Sequence, residues 1–281
     1  MLSRILEPEV MDDAAEAREY DAMDHTSVNR AFVDDLLQLL RETAPADIPP
    51  AHRPTHGDPF MMIDVGTGTA RIPIELAMRF ASGDTQELLA GLGAGRLRVT
   101  AADLSGEMLE LAERNLREAG IAHPPSDPGR PRAERFAGWP VNDVSTPIAG
   151  VALLLSDGKG TGMSDRSFDA VVSNSLIHHI PEPITVFREF ARLTRPGGWV
   201  FLRDLRRPDS QTELDRLVTL HAADASESQR LLFAASLRAA LTLDEVNALC
   251  REVGWSAAAR ATSDRHWTVS LRLPVPSGTD S

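Results

Sequence analysis

The chain has 281 residues, 42% hydrophobic and 25% charged, with 19 glycines and 19 prolines, a composition ordinary for a globular protein able to bury one sizeable core. Its 29 basic residues against 41 acidic ones give a net charge of −12, which supplies no chain-wide attraction to polyanions; nucleic acid and anionic membranes are poor partners and a small or neutral substrate is expected. Cys250 is the single cysteine and excludes an intramolecular disulfide, and the chain shows neither a long apolar run nor a signal pattern at its N-terminus, so a soluble, cytoplasmic monomer or homodimer is expected.

Residues 1–45 read as mostly helical. A polar, acidic stretch from Glu7 precedes Asn29–Leu40, which places Phe32, Leu36, Leu39 and Leu40 on one helical face. Prolines over 45–59 mark a connector. Met61-Met62-Ile63-Asp64-Val65 then reads as a buried strand, Gly66-Thr67-Gly68 as a turn, and Ile72–Phe80 as a helix with Pro73 in its first turn, where a missing N–H costs nothing. Gly66 and Gly68 accept φ > 0 and carry no Cβ, so a nucleotide-like ligand can lie against the main chain at the strand's carboxyl end. A dinucleotide fingerprint needs a third glycine where this chain has Arg71, which disfavours a pyrophosphate ligand.

Asp64-Val65-Gly66-Thr67-Gly68-Thr69-Ala70 resembles motif I of the class I S-adenosylmethionine-dependent methyltransferases, with Ala70 where the third glycine usually stands. The resemblance implies an α/β, doubly wound, seven-stranded and mostly parallel sheet of the Rossmann-like methyltransferase kind. It also implies S-adenosyl-L-methionine as cofactor, contacts to it from Asp64, Gly66, Thr67 and Gly68, a catalytic domain over 60–273 and an N-terminal helical cover over 1–45. Within that cover Tyr20, the only tyrosine, is either an aromatic lid over the cofactor or a ring packed between helices with its hydroxyl in water.

Leu97–Asp103 is the second strand. Ser105 caps the helix that follows, whose buried side is Met108, Leu109, Leu111, Ala112 and Leu116. A carboxylate at the strand tip can accept from both hydroxyls of a ribose. Asp103 follows Gly66 by more than the roughly 20 residues of a compact unit, and the excess is assigned to an insertion over 81–96. Asp-Leu-Ser-x-x-Met-Leu resembles the family's motif II and implies cofactor contacts from Asp103, Leu104 and Met108; the plain alternative is an acid left in a strand-to-helix turn. Residues 120–150 are proline-rich and read as a surface insertion anchored by Phe136 and Trp139. Val151–Asp157 is the third strand, and Asp157-Gly158 stands where the family's polar pair reads adenine.

Ser167–Pro183 resembles the segment around strand four in methyltransferases of the ubiquinone and menaquinone biosynthesis type, which implies that Ser173 and Asn174 face the methionine part of the cofactor. Ile184–Thr194 reads as a helix stopped by Arg195-Pro196-Gly197-Gly198, a further family marker, ahead of strand five at Trp199–Leu205. Residues 206–240 form a helical insertion, either substrate wall or extra packing. Thr242 and Glu245 make a capping box, and Ala257–Thr262 and Trp267–Leu273 are strands six and seven, the last antiparallel in the family. The adjacent His178 and His179 are the candidate catalytic residues: one takes a proton from the acceptor, or else one packs under the turn while the other faces solvent. No metal is expected, because no carboxylate or cysteine completes a ligand set with that pair at helix spacing. The expected function is methyl transfer from S-adenosylmethionine to a small-molecule acceptor; the alternatives are a non-catalytic S-adenosylmethionine-binding partner or sensor and an NAD(P)-dependent oxidoreductase on a related sheet.

Overall fold

Neighbouring residues of the central strands part to opposite sides of one sheet, and both sides are covered by helices. The computed structural model describes residues 2–7, 13–23, 25–43, 58–81, 85–124, 126–139 and 148–275. Strands β1 (Pro59–Val65), β2 (Arg96–Asp103), β3 (Ala149–Leu155), β4 (Phe168–Asn174), β5 (Thr194–Leu205), β6 (Arg260–Ala261) and β7 (His266–Arg272) form a sheet in the order β3-β2-β1-β4-β5-β7-β6. The first five pair in parallel, and β7 runs antiparallel to both β5 and β6. The strand order reverses between β1 and β4, and such a switch point opens a crevice at the strands' carboxyl ends.

The helices are α1 (Ala14–Asp21), α2 (Thr26–Glu42), α3 (Arg71–Ala81), α4 (Gln86–Gly91), α5 (Gly106–Glu118), α6 (Arg132–Arg135), α7 (Ile184–Leu193), α8 (Gln211–His221), α9 (Glu227–Ala239) and α10 (Leu243–Glu252). On one side Met62, Val99, Val172 and Phe201 meet Phe32 and Leu36 of α2, Leu76 and Phe80 of α3 and Leu109 of α5. On the other, Ile63, Val171, Val200 and Leu202 meet Phe187 and Phe190 of α7 and Val246 of α10. The pairs Met62/Ile63, Val171/Val172 and Val200/Phe201 are thus split by the pleat, and burial on both sides explains why these strands are near-continuous apolar runs.

Three expectations change. The described N-terminal residues do not act as one cover: the apolar stripe of α2 is absorbed into the core, whereas α1 and residues 2–7 reach the crevice. Arg195-Pro196-Gly197-Gly198 is not a loop before β5 but part of it. Thr194 already pairs with Phe168, the register shifts before Ala170, and Gly197 takes a φ of 76° while Arg195 pairs with Asp169 at 2.8 Å. Strand six shrinks to two residues, Arg260–Ala261. The capping predictions hold, with Ser105 accepting from the Met108 N–H and Thr242 forming a capping box with Glu245. The 81–96 insertion contains α4, and the 120–150 insertion is anchored as expected, by a core-buried Phe136 and by Trp139, whose Nε1 donates to the Val99 carbonyl at 3.2 Å. Residues 140–147 of that insertion, and most of the 45–59 connector, lie outside the described residues.

Candidate cofactor and acceptor site

The turn after β1 is built by main-chain geometry. The Gly66 and Thr67 N–H groups donate to the Ala102 carbonyl at 2.8 and 3.0 Å, tying the turn to β2. Gly66 has φ 76°, and a Cβ there would stand 2.8 Å from Leu176, so only glycine fits. Gly68 has φ 55°, but a Cβ there would meet only the Tyr20 ring, at 3.9 Å; one side of this glycine is open. Ala70, at the third-glycine position, is also left-handed, with φ 60°.

Two carboxylates close this half. Asp103 accepts from the Gly68 N–H (2.8 Å) and the Ser105 N–H (2.9 Å), with the Leu104 N–H also directed at its carboxylate. Burial raises its pKa against the pull of those N–H groups. Asp64 is 1% exposed and takes the Thr67 hydroxyl on Oδ2 at 2.7 Å, whereas its Oδ1 has no hydrogen-bond partner among the described residues. Burial, with Asp103 adding to it, pushes Asp64 up to about 7. Tyr20 hangs over this pair from α1, its hydroxyl held above the ordinary pKa by burial and then by Asp103, Asp204, Asp21 and Asp64. Beside it Asp21 binds Arg71 (2.9 Å), Arg114 (3.1 Å) and Asn115 (3.0 Å), and Asn115 also donates to the Thr69 carbonyl of the turn.

The remaining predicted residues are sorted by the structure. The Ser156 N–H donates to the Asp103 carbonyl, which sets the Asp157-Gly158 turn beside β2; the Asp157 carboxylate pairs with Lys159 at 3.1 Å. Met108 is buried on α5, and Leu104 is 40% exposed after β2. The Ser173 hydroxyl does not face the crevice as expected: it donates to the Val65 carbonyl at 2.7 Å and pins β4 to β1, which leaves Asn174 as the half-buried polar group at that strand end.

A second cluster lies past β4, where the 3-10 helix Ile177–His179 carries the histidine pair. His178 Nδ1 is 2.6 Å from Asp204 Oδ1, and the other Asp204 oxygen accepts from the Ile177 N–H at 2.5 Å. Burial lowers the His178 pKa, but Asp204 and then Glu7 outweigh it and hold the imidazole above its ordinary value. Glu7 Oε1 lies 3.3 Å from His178 Nε2 and 3.2 Å from His179 Nδ1. Arg4, from the same N-terminal segment, donates to the carbonyls of Ile180 (2.9 Å), His178 (3.2 Å) and Ala239 (2.7 Å). The expectation that no carboxylate completes a set with the histidines is corrected here, because it looked only at nearby sequence and Glu7 arrives from the start of the chain. Asp204, Glu7, Arg4, Asp21 and Leu176 were not foreseen. Asp204 had a signal, an acid at the tip of β5 as Asp103 is at the tip of β2; Glu7 and Arg4 had none.

A family model described as a methyltransferase domain matches residues 63–202, the span from β1 into β5 that carries the glycine turn, Asp103 and the histidine pair. The chain belongs to the class I S-adenosylmethionine-dependent methyltransferases. The cofactor of this family is S-adenosylmethionine. Among curated proteins, the chain is 26% identical over 146 residues to a ubiquinone biosynthesis O-methyltransferase of Chromobacterium violaceum, covering 52% of this chain and 44% of the relative. It is 30% identical over 121 residues to one of Xanthomonas axonopodis pv. citri, covering 43% and 38%. The chain thus matches less than half the length of these relatives. A methyltransferase structure from Aquifex aeolicus shares the fold, with a TM-score of 0.52 at 14% identity over 93% of this chain and 98% of that one. No helix among the described residues is long and apolar enough to cross a membrane.

Proposed function

We propose that this methyltransferase transfers the methyl group of S-adenosylmethionine to a small-molecule acceptor bound between the glycine turn and the turn after β4. The observation that carries this reading is the fit of the β1–β2 end to the cofactor: an open side at Gly68, an orphaned buried oxygen on Asp64 suited to an ammonium, and the Asp103 carboxylate at the tip of β2, suited to ribose hydroxyls. Gly66, Thr67, Leu104, Met108, Asp157, Gly158 and Asn174 complete the proposed cradle, with Tyr20 above it. When bound, the cofactor supplies an activated sulfonium leaving group. The protein's part is to align the two reactants and keep water out, which can supply roughly 7–11 kcal/mol of the barrier. His178 Nδ1 is engaged by Asp204 and its Nε2 faces Glu7 at 3.3 Å, so we read it as a positioning residue rather than a base. The names of the partial relatives make a phenolic oxygen the first acceptor class to try.

The test uses calorimetry with S-adenosylhomocysteine. Asp103→Ala removes two charge-assisted bonds and is expected to weaken binding by about 1.5–3 kcal/mol for each one that water does not replace. Gly68→Val is expected to abolish binding with the melting transition retained, since a branched side chain fills the open side and resists φ > 0. Unchanged affinity in both folded variants would remove the cofactor from this crevice. Labelled methyl transfer to a panel of phenols then tests the acceptor.

A further inference from the structure

Glu7, His178 and His179 offer three ligand atoms that all lie within 4.8 Å of one another, drawn from the N-terminal segment and from the turn after β4. We propose that they form a binding site for a divalent transition metal, zinc by ligand type, which fastens the N-terminal segment over that turn. The spacing is the first argument. Two atoms bound about 2.0–2.1 Å from a tetrahedral ion stand about 3.3 Å apart, and Glu7 Oε1 is 3.3 Å from His178 Nε2 and 3.2 Å from His179 Nδ1.

Hydrogen bonding is the second. Glu7 Oε1 is buried and accepts no hydrogen bond among the described residues, although two ring nitrogens are close to it, while its other oxygen takes the Ser236 hydroxyl. A buried carboxylate oxygen left so is destabilising. A cation between the three atoms satisfies it and uses the lone pairs of both rings.

The third argument is the support around the site. Asp204 Oδ1 is 2.6 Å from His178 Nδ1, which places the proton of a neutral ring on that nitrogen and leaves the Nε2 lone pair facing the Glu7 side, free to bind a cation. A metal-ligating histidine backed by a carboxylate is the usual outer-shell arrangement. The Arg4 bonds to Ile180 and Ala239 already hold the segment that brings Glu7 in. Two imidazoles and a carboxylate are a zinc set that leaves a position for water or another oxygen ligand. The site does not depend on the identity of the methyl acceptor.

The test is zinc alone, titrated by calorimetry into full-length protein stripped with a chelator, with cobalt as a visible-absorption probe of coordination. One equivalent is expected to bind and to raise the melting temperature. Loss of an outer-shell partner costs 10–100-fold in metal affinity, so Glu7→Gln, which removes a ligand, is expected to lose about 100-fold or more. Glu7→Gln lies at the start of the chain, and its melting curve without metal checks that it folds; His179→Ala provides a second variant. Wild-type protein that binds zinc no more tightly than folded Glu7→Gln and His179→Ala would overturn the proposal, as would a cobalt spectrum unchanged by both substitutions.

Discussion

The two halves of the crevice are made in different ways. At the β1–β2 end, main-chain groups at the tips of two paired strands do most of the work: Gly66 and Thr67 donate to Ala102, and Asp103 accepts from Gly68 and Ser105. At the β4–β5 end, His178 is held by Asp204 from the next strand and by Glu7 from the chain's beginning, with Arg4 bonded across to α9. The first half is a main-chain cradle that needs glycine at particular backbone angles. The second is a side-chain assembly that exists only after distant segments dock. Substitutions in the first should act on ligand binding, and substitutions in the second on the fold itself.

The largest effect expected from this contrast lies at Asp204. It is fully buried, and besides His178 it holds the N–H groups of Ile177 and Leu205. Removing one partner of a buried ion pair costs about 3–5 kcal/mol because the other charge is left uncompensated. Asp204→Ala is therefore expected to lower stability by that amount in urea unfolding, with the 3-10 helix loosened first. A loss below about 1 kcal/mol, in the range of an exposed pair, would mean the second half is no more integral to the fold than the first.

Asp64 sharpens the comparison through pH. Its unfolded pKa is near 3.9, while burial in the fold pushes it up to about 7. Below about pH 4 both states hold the proton; between there and about 7 the folded state holds a proton that the unfolded state has released, so stability falls as pH rises. The slope is about 1.4 kcal/mol per unit, or about 4 kcal/mol over the whole window. Asp64→Asn should flatten that part of the stability profile. If the orphaned oxygen meets the ammonium of S-adenosylhomocysteine, saturating ligand should flatten it in the wild type as well. A slope that survives in Asp64→Asn would assign the titration to another group.

The same contrast explains what the sequence disclosed. The sheet was legible because fully buried parallel strands are continuous apolar runs and their helices carry clear caps at Ser105 and Thr242. The glycine turn was legible because its backbone demands glycine: Gly66 and Gly68 show φ > 0 as expected, and Asp103, read as a ribose acceptor, stands at the β2 tip with its carboxylate on the Gly68 N–H. Ser173 was misread because a strand-end hydroxyl can face the crevice or the neighbouring strand, and sequence does not say which; here the Val65 carbonyl takes it. Arg195–Gly198 follows the end of α7 as read but was placed ahead of β5 because Pro-Gly-Gly is turn chemistry, whereas pairing with β4 carries the segment into the strand through an irregular register. Glu7 and Arg4 lie in a short polar stretch with no periodicity, and their roles arise only from long-range contacts.

Asp21, beside the first half, gives the smallest expected effect. It ends α1 next to Tyr20, and its side chain, 8% exposed, meets Arg71 at the start of α3 and Arg114 and Asn115 on α5. The two arginines are about half exposed, so each pair contributes at most about 1 kcal/mol. The Asn115 bond, which is linked through that amide to the Thr69 carbonyl, adds about 1 kcal/mol. Asp21→Ala is thus expected to lower global stability by only about 1–2 kcal/mol. Its cofactor effect should appear in dissociation rather than association, because α1 holds Tyr20 over Gly68 while the cradle beneath is left intact. A tenfold faster release of S-adenosylhomocysteine in stopped-flow corresponds to about 1.4 kcal/mol and is the size expected. An unchanged release rate would show that α1 packs beside the cradle without closing it, and would remove Tyr20 from the cofactor contacts.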